Sequence, residues 1–172
     1  EIRDLETMEI AIQASLTGHL VFSTLHTNDA PSSINRLMNM GIEPFLVATS
    51  VNLVVAQRLI RRVCEKCKQP EDVPVQALLN VGFSESEAPN VQIYRGRGCD
   101  ECNQRGYKGR IGIYEVMVVS EDVRELILSG ASAVELRRKA VEEGMISLRQ
   151  SGLQKIREGI TTIEEVVRES VL

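Results

Sequence analysis

Four cysteines fall into two matched pairs, "CEKC" at Cys64–Cys67 and "CDEC" at Cys99–Cys102. Two thiolates three positions apart on a tight turn can share one ion. A second such turn completes the four-ligand tetrahedral shell that zinc prefers, with zinc–sulfur bonds of about 2.3 Å. The spacing therefore predicts that Cys64, Cys67, Cys99 and Cys102 hold one structural Zn²⁺. Four protein ligands leave no open position for water, so the ion staples the 31 residues between the pairs and does not react. Iron–sulfur or redox chemistry is the competing use of the same residues. A thioredoxin-like centre needs one such pair beside a βαβ unit, and a disulfide framework belongs to oxidising compartments.

Composition decides the compartment. The formal charge is −4, with 43% hydrophobic and 26% charged residues, as in a soluble globular protein. No apolar run approaches the roughly 20 residues needed to span a bilayer. The opening "EIRDLETMEI" has no basic start followed by an apolar core, so no secretory signal is read there. A cytoplasmic location is the expectation. Because Glu1–Asp4 reads as the middle of a longer chain, a fragment is also expected.

Segments then sort by pattern. Leu5, Met8, Ile12 and Leu16 recur at helical spacing, and Gly18 stops that helix. Leu20–Leu25 reads as a buried strand. Asp29 is an expected N-cap for a helix through Met40, with Pro31 in its first turn and Gly41 beyond its end. Pro44 opens a predicted helical stretch to about Arg62. Between Val63 and Gly109 lie all four cysteines, three of five prolines and five glycines, which predicts an irregular small domain or insertion. "RIGIYEVMVV", Arg110–Val119, is a strand signal. The tail predicts three helices separated by glycines, with capping boxes at Ser132/Glu135 and Thr162/Glu165. The order favours an α/β layer over an all-helical bundle.

The Leu20–Leu25 run delivers His26, Thr27, Asn28 and Asp29 to one tip. In open α/β sheets, ligands collect at the carboxyl ends of strands. Such a tip can hydrogen-bond a phosphate or hold a water; equally, it can be a polar loop that merely caps the next helix through Asp29. Glu1 would follow the tip of a neighbouring strand if the chain continued upstream. Nucleotide hydrolases use a carboxylate in that place to orient the attacking water and support Mg²⁺. His19, in the turn after Gly18, has the ordinary reading of a capping or packing residue.

"EIRDLETMEIAIQASLTGHLVFSTLHTNDA" resembles the Walker B and histidine-box region of the secretion ATPase superfamily, in particular the type II secretion and type IV pilus assembly ATPases. "QRLIRRVCEKCK", "GCDECNQRGYKGRIGIYEVM" and "ITTIEEVV" are similar to the tetracysteine and C-terminal segments of the same family. The resemblance covers essentially the whole chain. It implies a partial RecA-like P-loop ATPase core over 1–62, a tetracysteine zinc-binding insertion over 63–109, and a return strand with a helical C-terminal subdomain over 110–172. It implies that Glu1 activates the hydrolytic water and that His26 senses the γ-phosphate. It also implies ATP and Mg²⁺ as ligands of the whole protein and a cytoplasmic homo-hexamer peripheral at the inner membrane. Its partners would be a polytopic platform protein and cytoplasmic docking proteins. A tetracysteine insert is typical of assembly and export members.

The departure from the family concerns the phosphate cradle. No G-x-x-x-x-G-K-[ST] run occurs, and "GRGCDEC" and "GYKGRIG" have neither its spacing nor its strand-to-helix setting. Without that nest and its lysine the chain alone is expected to be inactive. Two readings outside the ATPase class stand beside this one. A zinc-stabilised docking module needs no nucleotide chemistry. A zinc-ribbon nucleic-acid binder is disfavoured, because Tyr94 and Tyr107 are the only aromatics near the basic stretches and tryptophan is absent.

Overall fold

The computed structural model describes residues 1–170 of the chain. Its elements in order are α1 (Leu5–Leu16), α2 (Ala30–Asn39), α3 (Pro44–Ser50), β1 (Leu53–Val63), β2 (Lys68–Glu71), α4 (Val75–Val81), β3 (Ile93–Gly96), β4 (Tyr107–Val118), α5 (Glu121–Leu128), α6 (Ala133–Glu142), α7 (Leu148–Arg157) and α8 (Ile163–Glu169). Strands β1 and β4 pair, as do β2 and β3. The chain forms two compact units, one of Glu1–Ala56 with Glu115–Ile146, the other of Gln57–Tyr114 with Ser147–Leu172. Among the described residues no helix is long and apolar enough to cross a membrane.

The first unit is built on helices whose ends are written locally. Asp4 caps α1 by accepting from Thr7 N at 2.8 Å, and this amide holds the Asp4 carboxyl below its ordinary value. Asp29 caps α2 through Ser32 N at 2.7 Å, with Pro31 in the first turn as the sequence predicts. Met8 and Ile12 of α1 join Ile34 and Leu37 of α2, Val47 of α3, Met117 of β4, Val123 and Ile127 of α5 and Leu136 of α6 in one core. Leu5 and Leu16, expected on the same buried face, are exposed.

Two expectations fail in this unit. Leu20–Leu25 joins no sheet among the described residues. Leu20 is 79% and Phe22 87% exposed, and only Leu25 packs against the core. Its one main-chain bond in the described structure runs from Ile2 N to Thr24 O at 2.9 Å. Among the described residues the segment lacks the neighbour strands that would bury it. The helix expected from Pro44 to Arg62 stops at Ser50, and β1 follows. Exposed Leu53, Val55 and Leu59 alternate with more buried Val54, Ala56 and Ile60. That two-residue period, carried by β-branched side chains, overrides the helical reading of the same apolar residues.

The second unit holds the cysteines. The segment expected to be irregular contains a short antiparallel ladder, β2 on β3, with Lys68 opposite Gly96 and Glu71 opposite Ile93. The 3₁₀ turns Ala88–Asn90 and Asp100–Cys102 carry the chain around it. Ile60, Val63, Leu78, Phe83, Ile93, Ile113, Leu153, Ile156 and Val166 are among its buried apolar residues. Among the described residues four helices follow β4, not three. Ser132/Glu135 forms the predicted capping box and Ser147/Gln150 forms another. Thr162 caps α8 through Glu165 N, but the Glu165 carboxylate does not return to the Thr162 amide. It is drawn instead to Arg61 of β1, where it accepts from Arg61 N at 2.8 Å, Nε at 2.9 Å and Nη2 at 2.6 Å.

Candidate functional site

The structure brings Glu1 and His26 together. His26 Nε2 lies 2.5 Å from Glu1 Oε1, and Arg3 Nη2 lies 2.7 Å from Glu1 Oε2. The pairing follows from two neighbouring stretches of chain. The Ile2–Thr24 main-chain bond aligns residues 1–3 with 23–26, so the side chains at their ends converge. The Arg3 guanidinium, with His26 as the lesser partner, holds the Glu1 carboxyl below its ordinary value against the opposing effect of burial. The His26 side chain is 84% exposed, so the pair faces open space. An ionised carboxylate beside an exposed imidazole can orient a water through one group and donate to an anionic oxygen through the other. His19 has the local role expected of it, its ring Nδ1 lying 3.2 Å from Thr17 Oγ1 and 3.3 Å from Ala14 O.

The loop after His26 is tied down. Ser33 Oγ donates to Asp29 O at 3.2 Å, and the Thr27 hydroxyl donates to Ser33 Oγ at 2.7 Å. Asp29 also accepts from Arg137 of α6, and the first amide of α2, Ala30 N, donates to Glu115 Oε1 of β4 at 2.8 Å. Glu115 and Arg137 escaped the sequence reading, and Glu165 was read only as a capping residue. A signal for Glu115 was present. On the two-residue period of β4 it stands at an inward position between Ile113 and Met117, where an apolar residue is the rule.

The four cysteines form one cluster in the second unit. Their sulfurs all lie within 4.8 Å of one another. Cys64 to Cys99 is 3.8 Å, Cys67 to Cys102 is 3.9 Å and Cys99 to Cys102 is 3.8 Å. A tetrahedron with zinc–sulfur bonds of about 2.3 Å has edges of about 3.8 Å, so these donors fit a tetrathiolate metal site. Backbone amides support the sulfurs. Gly98 N and Cys99 N donate to Cys67 Sγ and Cys102 Sγ at 3.3 Å, and Gly106 N donates to Cys102 Sγ at 3.2 Å. Burial pushes the Cys99 thiol up to about 11. It acts the same way on Cys102, but there the Cys99 and Gly106 amides and the neighbouring thiols outweigh it and bring the group down to about 6.

Two glycines let the knuckle close. A methyl group on Gly96 would run into the Gly106 carbonyl, whose oxygen accepts from Cys64 N at 2.9 Å. Backbone cannot give way there as a side chain could. Gly96→Ala will therefore cost about 3 kcal/mol of stability in the second unit, the upper end for overpacking. It will also lower metal retention, as a denaturant series with metal analysis will show.

The comparisons with known proteins agree with this architecture. A family model described as "Type II/IV secretion system protein" matches residues 1–168. The type IV pilus assembly ATPase PilB of Myxococcus xanthus (strain DK1622) is 56% identical over 97% of this chain, which covers 30% of that protein. The type II secretion system protein E of Aeromonas hydrophila is 48% identical over 98% of this chain, which covers 33% of that protein. The chain thus spans about a third of the length of these curated relatives. Among solved structures, the pilus retraction motor PilT with bound ADP has a TM-score of 0.65 at 23% identity, over 99% of this chain and 38% of that one. The ATPase DotB of Legionella pneumophila has a TM-score of 0.63 at 21% identity, over 96% of this chain and 36% of that one. These two likenesses establish a shared mixed α/β fold. With the family model matched over residues 1–168, the chain belongs to the Type II/IV secretion system protein family.

Proposed function

We propose that this chain is the C-terminal portion of a hexameric motor ATPase that drives pilus assembly or type II protein secretion. The observation that carries the reading is the Glu1–His26 contact at 2.5 Å, formed by residues 25 positions apart and facing solvent. Glu1 is the group that orients the hydrolytic water, and His26 is the donor to the terminal phosphate. Bound Mg²⁺–ATP would supply the phosphoanhydride and the charge that these groups act on. The phosphate cradle belongs to upstream sequence, because this chain has no G-x-x-x-x-G-K-[ST] run. The relatives named above as pilus assembly ATPase and secretion protein support the same reading.

The division of labour follows. Residues 1–62 belong to the RecA-like core, and 63–109 form an insertion held by zinc on Cys64, Cys67, Cys99 and Cys102. Residues 110–172 give a return strand and a helical subdomain. The motor works in the cytoplasm against an inner-membrane platform and its docking proteins. In the full-length protein, Glu1→Gln and His26→Ala will each lower ATP turnover about 100-fold with zinc content unchanged. The 172-residue chain alone will turn over none. Turnover that survives both substitutions sinks the reading.

A further inference from the structure

Glu115 is a charged group at odds with its surroundings. It is 1% exposed on an inward position of β4, where a carboxylate loses its hydration. Donors from outside its strand hold it there. Ala30 N gives a bond of 2.8 Å to Oε1, and Arg137 Nη1 lies 3.4 Å from Oε2. The other arm of Arg137, Nη2, lies 2.9 Å from Asp29 Oδ2. Two carboxylates from distant parts of the chain are thus bridged by one guanidinium, at the residue where the His26 loop becomes α2. An apolar side chain at Glu115 would cost less to bury, but it could not define where Ala30 sits.

We propose that Glu115 and Arg137 are positioning residues for His26: they clamp the exit of the His26–Asp29 loop so that the imidazole meets Glu1. The entry to the loop is set by the Ile2–Thr24 main-chain bond and by Leu25 in the core. His26 itself packs against little, so its placement depends on these two anchors. A shift of about 1 Å in a catalytic group costs up to about 100-fold in rate. Because Arg137 stands on α6, a change in the position of that helix reaches the loop through the same bridge.

The kinetic part of this inference rests on the proposed ATPase reading, so its test separates the two. In the full-length protein, Arg137→Met removes the bridge from a partly exposed site, leaves Glu115 with its Ala30 N donor, and is compared with the parent by melting as well as by turnover. It will lower kcat about tenfold with KM for ATP within about twofold. In the His26→Ala background the same substitution will cost nothing further, because the group it positions is gone. Glu115→Gln, which keeps an acceptor for Ala30 N, will retain more activity than Glu115→Ala. Equal losses from Arg137→Met with and without His26, or no loss in a variant that melts like the parent, overturn the clamp. If the parent protein shows no turnover dependent on Glu1, the ATPase reading fails instead. The clamp is then judged by imidazole NMR signals, where Arg137→Met moves His26 and leaves His19 in place. An unmoved His26 signal overturns it.

Discussion

Replacing Cys102 with serine will cost the tetracysteine cluster the zinc proposed for it and unfold the segment around it. Cys102 lies at the centre of the knuckle, with sulfur contacts to Cys67 and Cys99 and amide donors from Cys99 and Gly106. The apolar residues buried between Val63 and Gly109, apart from the cysteines, are Val63 itself, Leu78, Phe83, Ala88 and Ile93, too few to hold 47 residues unaided. Zinc binding to a structural tetrahedral site contributes about 10–16 kcal/mol at neutral pH, and that free energy is folding free energy for the segment. Metal content will fall from about one zinc per chain to a small fraction of that. Amide exchange will become fast in β2 and β3, while the amides of α2 in the other unit keep their protection. Full metal and unchanged protection in the serine variant would show that the four thiolates are not its ligands.

Arg61→Met will destabilise the second unit by about 3 kcal/mol at neutral pH. Glu165 is 1% exposed, and Arg61 supplies two of its side-chain donors as well as a main-chain one. Removing the guanidinium leaves a buried carboxylate with Arg168, 2.8 Å away, as its remaining ion pair. That surviving partner keeps the loss at the low end for a broken buried pair. Stacking of Arg61 over the Tyr107 ring, 4.1 Å from its centroid, is lost as well.

The pH dependence has a definite sign. In the parent, burial alone would raise the Glu165 carboxyl, but the Arg61 donors and the nearby cations outweigh it and hold the group below its ordinary value. Its contribution is therefore fully present above the unfolded-state value of about 4.3 and fades as pH falls through the lower folded value. Without Arg61, burial has the larger say and the balance moves toward the neutral acid. The penalty of Arg61→Met will then shrink as pH is lowered toward 4, and Glu165→Gln will be the flatter of the two in acid. Denaturant midpoints at a series of pH values will read both. A penalty independent of pH would mean that packing, and not charge, carries the contact.

What the sequence discloses and what it hides divide along the range of the interactions. Helices α1 and α2 are written in adjacent residues: Asp4 and Asp29 cap them, and Gly18 and Gly41 adopt the positive φ that follows them. The cysteine cluster was legible because each pair needs only its own turn. β1 was not, because Val51 to Leu59 is apolar enough to satisfy a helical spacing too, and only pairing with β4 decides between them. Glu1 and His26 could be singled out as residues, while their contact depends on the alignment of two stretches of chain. Glu115 and Arg137 lie 86 and 108 positions from Asp29, beyond the reach of any local pattern. The Thr162/Glu165 spacing had the right form, but a stronger donor in Arg61 claimed the carboxylate.

The bare ribbon from Leu20 to Leu25 has a practical consequence for anyone who produces these 172 residues by themselves. Greasy side chains this exposed, on a segment that joins no sheet among the described residues, are a surface for copies to stick to one another. A lysine in place of Phe22 should keep such a preparation monodisperse at concentrations where the parent clumps.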